Sequence, residues 1–172
     1  MRFRADMLAG GAPVSNPVVT IATNREGAPY MLFGKQERLI RRIMIVEDEP
    51  LVAFDNEHGL TDAGYEVVAT VDSRAAAIAI LARETLDLVL TDIGLHGDGD
   101  GHDVARAARD KGVPVLLVTA QCSDEGRALA LGWLAKPYSI AVLEQTLVAL
   151  DRVLQGRTPR RLPTGLTLFA PA

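Results

Sequence analysis

The sequence predicts an α/β domain whose parallel sheet is covered by helices on both faces. Three observations carry that reading. From residue 42 onward, short apolar runs alternate with segments of helical period. The runs are continuous in apolar character, as suits strands buried on both faces. Capping and turn residues stand where the two kinds of segment meet.

The runs are RIMIV (42–46), EVVAT (66–70), DLVLT (87–91), VPVLLVT (113–119) and a brief GWLA (132–135). Pro50 lies just inside the start of the first helical segment and Gly64 just past its end, the positions each residue favours. Ser73 precedes RAAAIAILARE as a cap, and Gly112 follows HDVARAARDK. In the last helical segment, Ser139 to Leu154, the spacing puts Val142, Leu143, Thr146, Leu147 and Leu150 on one face. Five strands alternating with five helices imply right-handed crossovers and one parallel sheet.

The remainder of the chain lacks this rhythm. Residues 1–41 read as an irregular extension, with AGGAPVSNPVV and NREGAPY as loop-like chain and a short helix over KQERLIRR as an option. Residues 42–155 form the domain, and residues 156–172 read as a basic tail. Net charge is −4, but unevenly distributed: residues 1–42 carry seven Lys/Arg against three Asp/Glu, residues 43–155 eight against nineteen, and residues 156–172 three against none. Without interleaved aromatics the basic ends read as solvated chain rather than a nucleic-acid surface. No apolar run reaches the roughly 18 residues of a membrane span, and no signal-peptide pattern opens the chain, so a cytoplasmic protein is expected. The single Cys122 has no internal disulfide partner.

In sheets of this kind ligands bind beyond the carboxyl ends of the strands. Chemistry-bearing residues stand there in four runs: Glu47, Asp48 and Glu49 after the first, Asp92 after the third, Thr119 at the end of the fourth and Lys136 after the fifth. Carboxylates gathered at one edge repel one another and favour a hard cation such as Mg²⁺. A lysine and a hydroxyl suit phosphoryl oxygens. Together these groups describe phosphoryl transfer to a carboxylate.

On IMIVEDEP, LVLTDIGL, LLVTA and LAKP, with Asp92 standing 44 positions after Asp48, the segment 42–154 resembles the receiver domain of two-component response regulators. The resemblance implies a flavodoxin-like (βα)5 fold with strand order 2-1-3-4-5. It implies that Asp92 accepts a phosphoryl group from a histidine kinase or phosphotransfer protein, and that Asp48, Asp92 and the Gly94 carbonyl hold Mg²⁺ with Glu47 acting through water. Thr119 and Lys136 are then expected on the phosphoryl oxygens, and Trp133, three residues before Lys136, at the switch-aromatic position. Only seventeen positions separate Thr119 from Lys136, so the fourth helix, SDEGRALAL, is expected to be shortened. The implied role is a stand-alone signalling phosphoacceptor, not an enzyme acting on a separate substrate. Output is expected through protein partners, without direct DNA binding. Two rivals are a receiver-shaped binding module without working phosphorylation and a metal-dependent aspartate-nucleophile phosphohydrolase. The second would want an acid two positions after its nucleophile, where Gly94 stands.

Other polar residues are read more plainly. GDGDGHD (97–103) departs from the helix-loop-helix calcium pattern and reads as a mobile loop. His58 reads as a helix surface residue, His96 and His102 as solvated loop residues, and Cys122 as an unreactive thiol. Gly59, inside the first helix, has no evident purpose and costs on the order of 1 kcal/mol against alanine.

Overall fold

The computed structural model describes residues 20–23, 29–32, 38–95 and 100–169. The chain divides into two compact units, residues 1–37 and 38–172. In the first, β1 (Thr20–Thr23) and β2 (Pro29–Leu32) pair antiparallel, with Thr20 opposite Leu32 and Thr23 opposite Pro29. This segment was expected to be irregular; β-branched Thr20, Ile21 and Thr23 favour the extended form, and Gly27 and the flanking prolines obscured them. The helix considered over KQERLIRR is not formed at residues 38–41, which are non-helical and lead into a strand, while residues 35–37 lie outside the described residues.

The second unit follows the predicted alternation. Its elements are β3 (Arg42–Val46), α1 (Pro50–Asp62), β4 (Glu66–Val71), α2 (Arg74–Arg83), β5 (Leu88–Thr91), α3 (Gly101–Asp110), β6 (Val115–Thr119), α4 (Asp124–Leu129), β7 (Gly132–Ala135), α5 (Ile140–Leu154) and β8 (Leu166–Leu168). The sheet order is β4-β3-β5-β6-β7-β8. Its first five members are parallel and reproduce the expected 2-1-3-4-5 order. The sixth is a correction: the segment read as a basic tail returns to the sheet, and β8 pairs antiparallel to β7, with Trp133 opposite Thr167. Gly156 (φ 72°) turns the chain at the end of α5, and Gly165 (φ 83°) sets the entry to β8. The strand occupies backbone groups on β7 that would otherwise stand open at the sheet edge.

Side-chain alternation along the strands divides the core between the two faces. Ile43 and Ile45 of β3 join Leu60, Leu143 and Leu147 under α1 and α5. Met44 and Val46 join Leu81, Val104 and Leu117 under α2 and α3. Each such fully buried side chain contributes roughly 1.5–3 kcal/mol. Gly59 also acquires a reason: a Cβ there would lie 2.4 Å from Ile140 Cγ2, so its absence lets α1 approach α5. The fourth helix is short as expected, six residues long, and is capped by Ser123, whose Oγ accepts the Gly126 N–H at 3.0 Å.

Candidate functional site

The parallel ladder delivers the acids to one edge. The Glu47 N–H donates to the Val71 carbonyl at 2.9 Å and the Asp92 N–H to the Val46 carbonyl at 3.0 Å. Both residues therefore continue their strands' pairing for one residue beyond the last regular position. That pairing holds Glu47 at 2% exposure and Asp92 at 7%. On the far side of β6, the Lys136 N–H donates to the Thr119 carbonyl at 3.1 Å, which brings the end of β7 alongside.

The Lys136 ammonium closes the cluster. Its Nζ lies 2.6 Å from Asp92 Oδ2, 3.0 Å from Glu47 Oε1 and 3.5 Å from Glu49 Oε1. Burial alone would lower the Lys136 pKa, but the hydrogen bonds to Asp92 and Glu47 outweigh it and raise the pKa, so the ammonium form is held. Glu47 moves the other way from an ordinary acid: desolvation raises its pKa, only partly opposed by Lys136 and the Glu49 N–H. The Gly94 N–H donates to Asp92 Oδ1 at 3.0 Å, so both carboxylate oxygens of Asp92 are oriented.

Of the residues expected here, the structure gathers Glu47, Asp92 and Lys136 directly, with Gly94 and Thr119 at the margins. Glu49, seen in the sequence only as the end of EDE, joins them: ligand oxygens of Glu47, Glu49 and Asp92 all lie within 4.8 Å of one another. Asp48 is half-buried beside this trio and not one of its members. The donor set suits a hard divalent cation. Glu47 Oε2 fits the same purpose, because it is buried and accepts no directed hydrogen bond, although Lys136 Nζ stands 2.8 Å away.

Trp133 is half-buried on the α4 side of the sheet, and its Nε1–H donates to the Thr119 carbonyl at 2.8 Å. His102 differs from the solvated loop residue expected. It lies in the first turn of α3 with a side chain 12% exposed. Its Nδ1 is 3.0 Å from Asp100 Oδ2 and its Nε2 2.7 Å from Ser123 Oγ, so it joins the N-terminal caps of α3 and α4. Its distance in sequence from Ser123 hid that role. His58 is an exposed helix residue as expected. Cys122 is half-buried, and burial raises its thiol pKa, in keeping with low reactivity. His96 and residues 97–99 of the glycine-rich stretch lie outside the described residues. Asp100 and Gly101, which end that stretch, are the cap and first residue of α3 rather than loop.

Comparison with known proteins agrees with the geometry. Residues 43–148 match the model of the response regulator receiver domain. The chain is 32% identical over 137 residues to the transcriptional regulatory protein QseB of Escherichia coli O157:H7, covering 76% of this chain and 62% of that protein. It is 33% identical over 113 residues to the uncharacterized transcriptional regulatory protein YrkP of Bacillus subtilis, covering 63% and 48%. The chain thus spans about half to three fifths of these relatives. Among solved structures it resembles the chemotaxis response regulator CheY4 of Vibrio cholerae (30% identity, TM-score 0.57, 63% of this chain and 97% of that one). It also resembles a response regulator receiver protein of Sinorhizobium medicae (31% identity, TM-score 0.57, 67% and 97%). Since the matched segment runs from the first parallel strand into the last helix and takes in every strand end that supplies the site, the chain belongs to the response regulator receiver domain family.

Proposed function

We propose that Asp92 is the phosphoacceptor of this receiver domain, taking its phosphoryl group from a phosphohistidine on a histidine kinase or phosphotransfer protein. The observation that carries this reading is the Asp92 carboxylate, nearly buried at a strand end and held between the Lys136 ammonium and the Gly94 N–H. In the transfer, an Asp92 oxygen forms the new bond to phosphorus, the P–N bond to imidazole breaks, and the imidazole leaves with a proton from solvent. Lys136, kept charged by its acidic neighbours, shifts its hydrogen bond from the carboxylate to a phosphoryl oxygen. The Thr119 hydroxyl, which makes no hydrogen bond among the described residues, donates to another.

Glu47, Glu49 and Asp92, with Asp48 and the Gly94 carbonyl beside them, are the groups proposed to hold Mg²⁺. Bound there, the cation would neutralise charge on the incoming phosphoryl oxygens. Trp133 would follow Thr119, because its indole is bonded to the Thr119 main chain. Movement of Thr119 then becomes a change on the α4–β7 surface, which protein partners in the cytoplasm would read.

Trp133 is the only tryptophan, so fluorescence tests the reading directly. Wild type should respond to Mg²⁺ and again to beryllofluoride, and should gain one phosphoryl group by mass after incubation with a small-molecule donor. Asp92→Ala should show neither the second response nor the adduct. An Asp92→Ala protein that matches wild type in both measurements would exclude Asp92 as acceptor.

A further inference from the structure

At the opposite edge of the sheet from Asp92, the returning C-terminal segment and α5 enclose a groove of about 660 Å³. Among the described residues, Arg38, Arg152, Arg160 and Arg161 line it against one acid, Glu144. Arg152, Arg160 and Arg161 form no ion pair among the described residues. Arg38 is fixed by a hydrogen bond to the Ala63 carbonyl at 3.2 Å and lies 4.8 Å over the Tyr65 ring. The nearby Asp151 carboxylate is already engaged, accepting the Leu39 and Ile40 N–H groups. The groove is apolar as well as basic: Val148 is 47% and Leu162 41% exposed, two of the six large exposed apolar side chains among the described residues.

The wall that carries Arg160, Arg161 and Leu162 is tied at both ends. At one end α5 closes on Gly156. At the other, β8 pairs with β7, the Ala135 N–H donates to the Gly165 carbonyl at 3.1 Å and the Phe169 N–H to the Leu131 carbonyl at 2.9 Å, and the Arg127 guanidinium lies 5.4 Å from the Phe169 ring. The segment is therefore a built surface, not a loose basic tail.

We infer that this groove binds an acidic peptide segment of a partner protein, with an apolar side chain of that segment seated between Val148 and Leu162. Unpaired guanidiniums favour carboxylates by charge and by paired hydrogen bonds. Free phosphate would leave Val148 and Leu162 uncovered, and the Tyr65 face that could stack a base is occupied by Arg38. The lining of the groove includes none of the residues at the phosphoacceptor edge.

Fluorescence anisotropy with the full chain and a labelled peptide of alternating glutamate and leucine tests the inference. Saturable binding is expected, weakened roughly tenfold or more by Arg160→Glu with Arg161→Glu, which removes and reverses two charge-assisted contacts. Leu162→Asp should weaken it comparably, as should Gly132→Val. A Cβ at Gly132 would stand 2.7 Å from the Thr167 carbonyl oxygen and so displace β8. The inference fails if a glutamate–glycine peptide or inorganic triphosphate competes as well as the leucine-bearing peptide. It also fails if Gly132→Val frees β8 by amide exchange yet binds normally, or if wild type dimerises and the double arginine variant does not, since the occupant would then be a second copy.

Discussion

The indole N–H of Trp133 donates to the carbonyl of Thr119 at 2.8 Å, and the same carbonyl accepts the Lys136 N–H at 3.1 Å. One main-chain oxygen thus joins the proposed switch aromatic, the proposed phosphate-binding hydroxyl and the proposed phosphate-binding lysine. Trp133→Phe keeps an aromatic ring but removes one of the two bonds and some packing. The expected cost is about 1–2 kcal/mol in urea unfolding. Amide exchange at residues 119 and 120 should quicken; unchanged exchange would mean that the indole does not restrain Thr119.

Lys136→Met should be far more damaging. It leaves Glu47 and Asp92 as neighbouring, nearly buried carboxylates without their shared cation. A loss of about 3–5 kcal/mol is expected with chelator present. Mg²⁺ should raise the melting temperature of this variant by more than that of wild type, because it replaces the missing positive charge. An equal shift in both proteins would argue against a cation among these carboxylates.

Gly101, the first residue of α3, leaves no room for a side chain. A Cβ there would lie 1.9 Å from the Asp92 carbonyl oxygen and 2.7 Å from Ile93 Cα, both main-chain atoms that cannot swing aside. Gly101→Ala should therefore move α3 away from the Asp92 backbone, at a cost of about 1–3 kcal/mol. Phosphoryl uptake from a small-molecule donor should fall with it. Wild-type uptake in a folded variant would show that the close approach is not needed for acceptor geometry.

Asp100 caps α3, its carboxylate accepting the His102 N–H at 2.9 Å and the Asp103 N–H at 3.3 Å. Burial would raise its pKa, but the His102 side-chain bond and charge and the two backbone N–H groups together lower it below the ordinary 3.8. A lowered folded pKa means that the unfolded chain binds the proton more readily. The contribution is therefore full above pH 3.8 and lost as pH falls through the lower folded value. Asp100→Ala should cost about 1 kcal/mol at neutral pH, with the two proteins converging in acid. A stability difference that stays constant down to acid pH would contradict the capping role.

What could be read in the chain depended on how local each signal is. Buried parallel strands leave continuous apolar runs, so RIMIV and VPVLLVT identified β3 and β6, and Pro50 and Gly64 bracketed α1. The β8 run, Leu166–Leu168, is only three residues long and sits among proline and glycine. Its reason to be extended is the open edge of β7, more than thirty positions earlier, which no local pattern announces. Glu49 was visible as the third acid of EDE, but only the position of Lys136 gave it a partner in the site.

By itself the sequence determined the alternation of strands and helices, the parallel sheet, and the placing of Asp92, Thr119 and Lys136 at strand ends, because hydrophobic period and capping are encoded within a few residues of each element. Tertiary structure alone decided that the C-terminal segment becomes a sheet strand and walls an arginine groove. It also decided that His102 bridges two helix caps, that Gly59 and Gly101 are demanded by close approach, and that Trp133 is bonded to the Thr119 main chain. Each of these depends on which surfaces meet after the chain has closed over long loops, and contact between distant residues leaves no periodic trace in the sequence.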